Sequence, residues 1–257
     1  VVQIGLLDWE MGKNYPAELA IRGDVRETLK ALIPVLAEKG GDALKTKAAA
    51  KLADFETRNW SANKKALVEH LEDAGSGSPI NFDWMTWKMV EALPENAVVV
   101  HEGLTSTRQL PNLLAYKDRY DYHGFASGGI GWAMPGAVGV QLADLTRPVV
   151  AVIGDGSSMY SIQALWTAAN MKISITYVIC NNKSYRIIKQ RLKAFHGNDH
   201  FVGMDFDDPH LDFVGLANSM GVAAERVEDP ADLTAAFENA FNNPGPNLID
   251  VVVEGGI

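Results

Sequence analysis

Two apolar runs, each ended by polar residues, constrain the fold of this chain most strongly. Residues 149–153 and 175–180 have the length and the β-branched content of buried strands. One helix-sized segment separates them, so we expect the two strands to lie parallel in one sheet. Gly154-Asp155-Gly156 follows the first strand, and Asn181-Asn182 ends the second. Because open α/β sheets bind ligands at the carboxyl ends of their strands, these polar residues mark the expected site.

From residue 79 onward the whole chain continues this alternation. Strands are predicted at 97–101, 149–154, 174–180, 222–227 and 247–253, and helices at 81–93, 107–115, 128–142, 159–170, 184–194, 211–220 and 230–242. Strands that alternate with helices of this length are typical of βαβ units. The predicted fold is therefore of the α/β class, a doubly wound, mainly parallel sheet flanked by helices.

Composition narrows the function classes. The 257 residues are 47% apolar and 21% charged, as in an ordinary globular protein. A net charge of −9 argues against a broad nucleic-acid or acidic-membrane surface. The single cysteine, Cys180, excludes an internal disulfide, fits a reducing compartment and is predicted to lie in the core. No run reaches the roughly 18 apolar residues of a membrane span, and no signal peptide is visible. We therefore expect a cytoplasmic protein without a nucleic-acid or membrane partner.

Residues 1–78 differ in character from the rest. Residues 1–7 resemble a strand, and residues 24–36 have helical spacing, with Pro34 late in that helix or bending it. Residues 35–78 are expected to form a helical connector that ends in a Gly- and Ser-rich linker. The predicted domains are thus 1–34, 35–78 and 79–257. Since the chain opens inside a strand without an initiator methionine, we expect further residues upstream.

Asp155 and Asn182 offer the ligands that a hard cation prefers. A carboxylate and an uncharged amide oxygen at adjacent strand ends suit Mg²⁺ or Ca²⁺, and Mg²⁺ completes its shell with waters and substrate phosphates. The flanking glycines are expected to allow a sharp turn and close approach to a ligand. Ser157 and Ser158 add hydroxyl and N–H groups near a helix start, which favours phosphate. The alternatives are a helix-capping aspartate in a turn and an ordinary Asn-Asn turn.

With these residues in place, the chain resembles the thiamine-diphosphate-dependent enzymes, especially the benzoylformate decarboxylase and acetolactate synthase branch. The Gly154-Asp155-Gly156 and Asn181-Asn182 motif is highly specific for that family. The similarity extends to 127–135, 139–143, 152–157 and 164–169 and is weakest over 40–75. Residues 1–34 resemble the tail of the family's central domain. For 79–257 the resemblance implies the thiamine-diphosphate-binding fold, with diphosphate and Mg²⁺ as its ligands.

The resemblance implies a specific set of metal ligands. Asp155 and Asn182 are expected to bind Mg²⁺ through side-chain oxygens, and Ser184 through its backbone carbonyl. The family often has Gly-Thr after the asparagine pair, where this chain has Lys183-Ser184. A carbonyl ligand tolerates that change, because every residue has a carbonyl.

Other residues are expected to hold the rest of the cofactor. Gly156 and Ser157 are expected to bind the diphosphate through N–H and hydroxyl groups, and Thr105 is either a further phosphate ligand or a helix N-cap. The Gly128 carbonyl and the Ile130 N–H are expected to hydrogen-bond the pyrimidine edge. The Ile130 side chain is expected to wedge beneath the bent cofactor, so that its amino group reaches the reactive thiazolium carbon. Taken alone, this segment is a glycine-rich helix start with one core isoleucine.

The helix after the metal motif is expected to face the substrate. Ile187 and Ile188 are either substrate-proximal or core residues. Arg191 could meet a carboxylate or phosphate, although a solvated position is favoured. The polar loop 195–210 is expected to be exposed and to cover the active site, as such loops often do. It lacks compact metal-ligand spacing, although it holds His196, His200 and His210 among four aspartates.

The resemblance also implies that this chain holds half of an active site. The family activates the cofactor with a glutamate from an N-terminal pyrimidine-binding domain, which acts across a subunit interface. No segment here resembles that domain, and Glu102, which follows a predicted strand, lies in sequence typical of the diphosphate domain. We therefore expect the N-terminal half to come from the same protein or from another subunit, in a homodimer or homotetramer. The chain alone is expected to be inactive, and its start inside a strand favours a fragment.

The resulting hypothesis is an enzyme. The chain is interpreted as the C-terminal part of a thiamine-diphosphate- and Mg²⁺-dependent decarboxylase of a small 2-oxo acid, similar to benzoylformate decarboxylase. The cofactor performs the chemistry, and the protein supplies orientation and electrostatics. An acetolactate-synthase-like carboligase is an open alternative. A non-catalytic cofactor-binding or assembly module is the alternative from another class.

Overall fold

The structure, a computed structural model, describes residues 1–257 and divides the chain into two units, Val1–Asn63 and Lys64–Ile257. The first unit contains a small sheet in which β1 (Val2–Gly5) pairs in parallel with β2 (Leu19–Arg22). β1 confirms the strand predicted at the start of the chain, whereas β2 was not predicted. Four residues without clear alternation carry too little signal to identify a strand.

A long helix, α1 (Val25–Glu56), follows the small sheet. Asp24 caps it, since its Oδ1 accepts a hydrogen bond from the Glu27 N–H at 3.0 Å. Pro34 lies inside α1 and does not end it. The helical geometry is interrupted instead at Gly41, whose φ of 55° suits a residue without a Cβ. The predicted helix is therefore confirmed at its start, and its interruption lies seven residues beyond the predicted proline.

A six-stranded sheet in which every neighbouring pair is parallel forms the centre of the second unit. Its spatial order is β4-β3-β5-β6-β8-β7. The strands are β3 (Val98–Glu102), β4 (Tyr122–Gly124), β5 (Val149–Gly154), β6 (Ile175–Asn181), β7 (Ala223–Val227) and β8 (Asn247–Val252). This arrangement confirms the predicted parallel α/β sheet and the pairing of the two strands that carry the polar motif.

Helices cover both faces of this sheet. Because side chains alternate along a strand, Ala151 and Ile153 enter one core while Val150 and Val152 enter the other. The helices from residue 60 onward are α2 (Trp60–Ala74), α3 (Phe82–Ala92), α4 (Leu110–Leu113), α5 (Ala133–Ala143), α6 (Asp155–Ser158), α7 (Ala164–Met171), α8 (Arg186–His196), α9 (Phe213–Ser219) and α10 (Leu233–Phe241). None of them has the length and apolar character needed to cross a membrane.

Individual predictions for this unit had different outcomes. Asn81 is confirmed as the N-cap of α3, since its Oδ1 accepts hydrogen bonds from two backbone N–H groups at 3.0 Å. Cys180 is confirmed as a free, buried core residue, and burial raises the pKa of its thiol. The three-residue strand β4 was not predicted.

Three predicted helices have different bounds in the structure. The helix expected over 128–142 begins only at Ala133, because the glycines before it form a loop held by hydrogen bonds from elsewhere in the unit. The helix expected over 159–170 begins only at Ala164, and the single turn α6 comes before the expected start. The segment 107–115 contains only the short α4, after a 3-10 turn at Leu104–Thr107.

Candidate active site

A cavity of about 300 Å³ opens at the carboxyl ends of β3, β5 and β6. The strand order reverses here, because β4 lies on one side of β3 and β5 on the other side. Open α/β sheets usually bind ligands at such a point. The residues that the resemblance assigns to the site all line this cavity, which brings together Thr105, Gly128, Ile130, Asp155, Gly156, Ser157, Asn182, Ser184, Ile187 and Ile188. Ser158 does not line it, and its hydroxyl donates a hydrogen bond to the Asp155 carbonyl at 2.7 Å. Their shared location is a finding, and the role of each stays a prediction.

Asp155 has an unpaired carboxylate oxygen in the protein interior. The residue is 2% exposed, and its Oδ1 accepts a hydrogen bond from the Gly156 N–H at 2.7 Å. Its Oδ2 is buried and has no partner. Burial raises the pKa of this carboxyl to about 7, against the opposing effect of backbone N–H groups at Gly156 and 182–184. A buried carboxylate is costly unless a proton or cation compensates it, so this oxygen fits a divalent cation.

Asn182 and Ser184 add two oxygens of the kind that Mg²⁺ binds. The Asn182 Oδ1 accepts hydrogen bonds from the Ser184 N–H and hydroxyl, both at 3.1 Å, and its Nδ2 donates to Ser106 Oγ at 3.3 Å. This turn matches the alternative interpretation of the asparagines and also fixes the amide beside Asp155. Ser184 and Asp205 form an isolated β-bridge. The two hydrogen bonds of this bridge use the backbone groups of Lys183 and Tyr185, the residues on either side of Ser184. The Ser184 carbonyl is thereby left out of the bridge.

Lys183, between these two residues, has a left-handed backbone conformation with φ of 58°. For a residue with a Cβ, this conformation costs about 1–2 kcal/mol. The Asn181 Oδ1 accepts a hydrogen bond from the Lys183 N–H at 3.2 Å and supports the turn. The conformation gives a physical reason for glycine at this position in the resembling sequences.

Glu102, at the end of β3, holds the loop that carries Gly128 and Ile130. Its carboxylate is 2% exposed and accepts hydrogen bonds from the Gly131 N–H at 2.6 Å and the Ala133 N–H at 2.8 Å. Gly131 has φ of 86°, and a Cβ there would lie 2.5 Å from the Tyr160 Cβ, so only glycine fits. The loop is therefore fixed, and Ile130 is 39% exposed rather than a core residue.

Sequence reasoning missed the role of Glu102. An available signal was a single carboxylate directly after a run of buried valines, where an unpaired charge is unfavourable.

Gly156 is required by packing and not by backbone freedom. A Cβ there would lie 2.6 Å from Tyr185 Cε1 and 3.3 Å from Phe206 Cζ, whereas a Cβ on Gly154 would meet no atom within 4 Å. Neither glycine has a positive φ. Neither glycine therefore depends on a left-handed conformation, and their close approach to a ligand stays a prediction. The absence of a side chain at 156 lets Tyr185 lie against the backbone of α6.

Thr105 lies inside the 3-10 turn Leu104–Thr107, whose N-cap is Gly103. The helix-cap alternative for Thr105 is therefore wrong. Leu104 has φ of 47°, which is unusual for a bulky residue, and it lines the cavity. Such strained positions cluster at functional sites. The sequence shows no sign of this strain.

The first turn of α8 faces the cavity. Ile187 and Ile188 line it, and Ile188 is 38% exposed, so Ile188 is not a core residue. Arg191 is exposed and does not line the cavity, as the favoured interpretation predicted. Arg186, which sequence reasoning missed, does line it and is buried.

The loop 195–210 packs beside the site. The Phe206 ring lies edge-on against Tyr185 at 4.7 Å between centroids, and Lys189 pairs with Asp205 at 2.7 Å. No residue of the loop lines the cavity, and covering of the active site by the loop stays a prediction. The loop supports the segment that contains Ser184. No group of three or more His, Cys, Asp or Glu side chains in the structure is placed to share a metal ion.

The fold and the cavity define an α/β domain whose polar residues suit a phosphorylated cofactor and a hard cation. Residues 105–251 match the family described as thiamine pyrophosphate enzyme, C-terminal TPP binding domain. The chain therefore belongs to this family, and thiamine diphosphate is the cofactor of the domain. This match confirms the resemblance found in the sequence.

Known relatives agree with this assignment. A Mycobacterium tuberculosis protein named as an acetolactate synthase large subunit is 40% identical over 166 residues, which are 63% of this chain and 32% of the relative. Benzoylformate decarboxylase from Pseudomonas aeruginosa is 31% identical over 179 residues, which are 69% of this chain and 33% of the relative.

A solved structure shows the same fold. The thiamine diphosphate-dependent 4-hydroxybenzoylformate decarboxylase from Rhodococcus jostii has a TM-score of 0.66 and 32% identity, over 71% of this chain and 34% of that protein. The matched part of the chain thus spans about a third of the length of each of these three proteins.

Proposed function

We propose that this chain is the cofactor-binding part of a thiamine-diphosphate- and Mg²⁺-dependent enzyme that decarboxylates a small 2-oxo acid. The observation that carries the proposal is the unpaired Oδ2 of Asp155, buried in a cavity of a thiamine pyrophosphate-binding domain. When bound, thiamine diphosphate supplies a nucleophilic carbon that adds to the oxo carbon and accepts the electrons released as CO₂ leaves. The protein binds, orients and desolvates the reacting groups.

Three protein oxygens hold the cation in this proposal. Asp155 and Asn182 would contribute side-chain oxygens and Ser184 its carbonyl, and Mg²⁺ generally completes its shell with water and substrate phosphate oxygens. Gly156 and Ser157 bind the diphosphate through N–H and hydroxyl groups, with Thr105 as a further contact. The cation neutralises charge on both sides, which is why a buried carboxylate can lie close to a diphosphate.

The Gly128–Ile130 segment orients the organic part of the cofactor. The Gly128 carbonyl and the Ile130 N–H would hydrogen-bond the pyrimidine edge of the bound cofactor, and the Ile130 side chain would pack against the cofactor. Such positioning requires a rigid loop, because small displacements of reacting groups are costly in rate. The bidentate contact of Glu102 with the Gly131 and Ala133 N–H groups supports that rigidity.

Ile187 and Ile188 form an apolar wall for the substrate. A wall of this kind excludes water from the reacting carboxylate and strengthens nearby electrostatic interactions. The second wall comes from an N-terminal pyrimidine-binding domain, which also supplies the activating glutamate, within a homodimer or homotetramer. Exposed apolar side chains close to the cavity, Ile130 at 39% and Tyr160 at 59%, support a covering partner.

Carboligation is a second candidate for the same site. It is favoured by the 40% identity to the protein named as an acetolactate synthase large subunit. The protein would have the same roles in decarboxylation and carboligation until CO₂ leaves. The two reactions differ in what is taken up next, a proton in decarboxylation and a second carbonyl compound in carboligation.

Product analysis of the protein assembled with its N-terminal half tests the proposal. Benzoylformate, pyruvate, 2-oxoglutarate and 3-phosphonopyruvate are each incubated with the protein, thiamine diphosphate and Mg²⁺, and products are separated chromatographically. An aldehyde plus CO₂ supports decarboxylation, and a condensed hydroxy-ketone product supports carboligation. Cofactor binding without turnover of any 2-oxo acid would contradict both and favour a non-catalytic module.

A further inference from the structure

A second cavity of about 300 Å³ adjoins the cofactor cavity, and two arginines line it. We call it the side pocket; its lining is Leu104, Thr105, Arg108, Arg186, Ile187 and Gln190. Four of these six residues also line the cofactor cavity, so the two spaces adjoin along the 3-10 turn and the first turn of α8. We propose that the side pocket binds an anionic group, carboxylate or phosphonate, at the end of the 2-oxo acid substrate distant from its oxo carbon. This inference rests on the proposed function.

Arg186 is a buried cation with incomplete compensation. It is 9% exposed, and its Nε donates a hydrogen bond to the Gly256 carbonyl at 2.8 Å. Its Nη1 is buried and has no partner. A buried guanidinium without a counter-charge is strongly unfavourable, so an unpaired donor of this kind points to a missing anion.

The two carboxylates that act electrostatically on Arg186 form their hydrogen bonds with other residues. Glu254 accepts a hydrogen bond from Asn81 Nδ2 at 2.8 Å, and Asp83 pairs with Arg108 at 3.0 Å. Both act on the Arg186 charge only through space. They reduce the cost of the buried charge, and neither accepts a hydrogen bond from Arg186.

Arg108 brings a second positive charge to the same place. The guanidinium carbons of Arg108 and Arg186 lie 5.0 and 4.4 Å from the centroid of the Phe82 ring. Two cations beside one ring repel each other, and an anion between them removes that repulsion. Arg108 is 62% exposed, so it can move toward a ligand. In a chain with a net charge of −9, such a pair is not part of a generally basic surface.

The chemistry of the pocket selects the ligand class. A guanidinium presents paired donors that match carboxylate and phosphate or phosphonate oxygens. Leu104 and Ile187, which both cavities share, provide apolar contact for a short methylene chain between the two ends of a substrate. Substrates with one carboxylate, such as pyruvate, place no anionic group in the side pocket. A dianionic 2-oxo acid therefore fits better.

Calorimetric titration of the chain with matched ligands tests the inference. The probes are 2-oxoglutarate, 3-phosphonopyruvate and 2-oxopentanoate, the last having the carbon count of 2-oxoglutarate but no second anionic group. We expect one of the two dianions to bind about tenfold or more tightly than 2-oxopentanoate, as for one added charged hydrogen bond. Which of the two binds more tightly decides between carboxylate and phosphonate.

Variants locate the effect. Arg186→Met and Arg108→Gln are each expected to abolish the preference, while Arg191→Gln, an equal charge change at an exposed position of α8, is expected to retain it. Equal affinities for all probes, or a preference that survives in Arg108→Gln, would overturn the inference. Arg108 is largely exposed, so this variant stays informative if Arg186→Met fails to fold.

The titrations are run with and without thiamine diphosphate and Mg²⁺. Cofactor binding without a preference for the dianionic ligands contradicts the inference about the side pocket and leaves the proposed function in place. A dianion preference without cofactor binding supports the pocket and contradicts the proposed function.

Discussion

Replacing Glu102 by Gln tests the idea that this residue fixes the cofactor loop. The Glu102 carboxylate accepts one hydrogen bond from Gly131 and one from Ala133, at 2.6 and 2.8 Å. A glutamine side chain of the same shape keeps one acceptor oxygen and directs an NH₂ group at the other N–H. One hydrogen bond to a charged group is lost, and a buried donor is left unpaired. The expected loss in free energy of unfolding is about 2–4 kcal/mol.

Urea denaturation followed by circular dichroism measures this loss. The matched control is Glu95→Gln, whose side chain is 92% exposed beside Lys117, and no resolvable change is expected there. We also expect weaker thiamine diphosphate binding by Glu102→Gln at temperatures where it remains folded, because Gly128 and Ile130 lose their fixed positions. A Glu102→Gln change within about 0.5 kcal/mol, the range of ordinary surface substitutions, would refute the reasoning.

Three further predictions concern the neighbouring motif. Gly156→Ala is expected to destabilise the protein by about 1–3 kcal/mol, because the added Cβ meets the Tyr185 ring. The control Gly154→Ala is expected to be less destabilising, because the space around Gly154 is open. Equal midpoints of urea denaturation for the two variants would contradict this expectation. Lys183→Gly is expected to raise the free energy of unfolding by up to about 1 kcal/mol, since glycine adopts φ of 58° without strain, and a lower value would contradict the assigned conformation. In metal-free protein burial raises the pKa of Asp155 from 3.8 to about 7. Between these pH values the folded state keeps a proton on Asp155 that the unfolded state has lost, so the folded state loses stability as the pH rises from about 4 to about 7. Saturating Mg²⁺ is expected to reverse this loss of stability with rising pH, and Asp155→Asn is expected to remove it. Melting temperatures measured across the pH range test both expectations. If Asp155→Asn keeps the same pH dependence, another group is responsible for it.

The metal motif was predictable because its signal is local. Asp155 and Asn182 each follow a buried strand, and parallel neighbouring strands place their carboxyl ends together, so spacing and residue type were sufficient. The doubly wound sheet was predictable for the same reason, since its long strands are continuous apolar runs. The three-residue strand β4 has no such run and was missed.

Features that depend on contacts between distant residues could not be predicted. Glu102 and Gly131 are 29 positions apart, and their hydrogen bond depends on how the loop after β4 returns to β3. Arg186 looked like an ordinary helix residue, and its burial follows from packing on Phe82 and the backbone of Gly256. The left-handed conformations of Leu104 and Lys183 are likewise set by tertiary structure, which overrides local preference.

Calorimetric titration of thiamine diphosphate tests the central claim most directly. The chain, alone and with its N-terminal half, is titrated in Mg²⁺ and again after chelation, with Asp155→Ala and, as control, the exposed Asp73→Ala. The account predicts binding that requires Mg²⁺, is lost in Asp155→Ala and is retained in Asp73→Ala. Unchanged cofactor affinity in Asp155→Ala would contradict it.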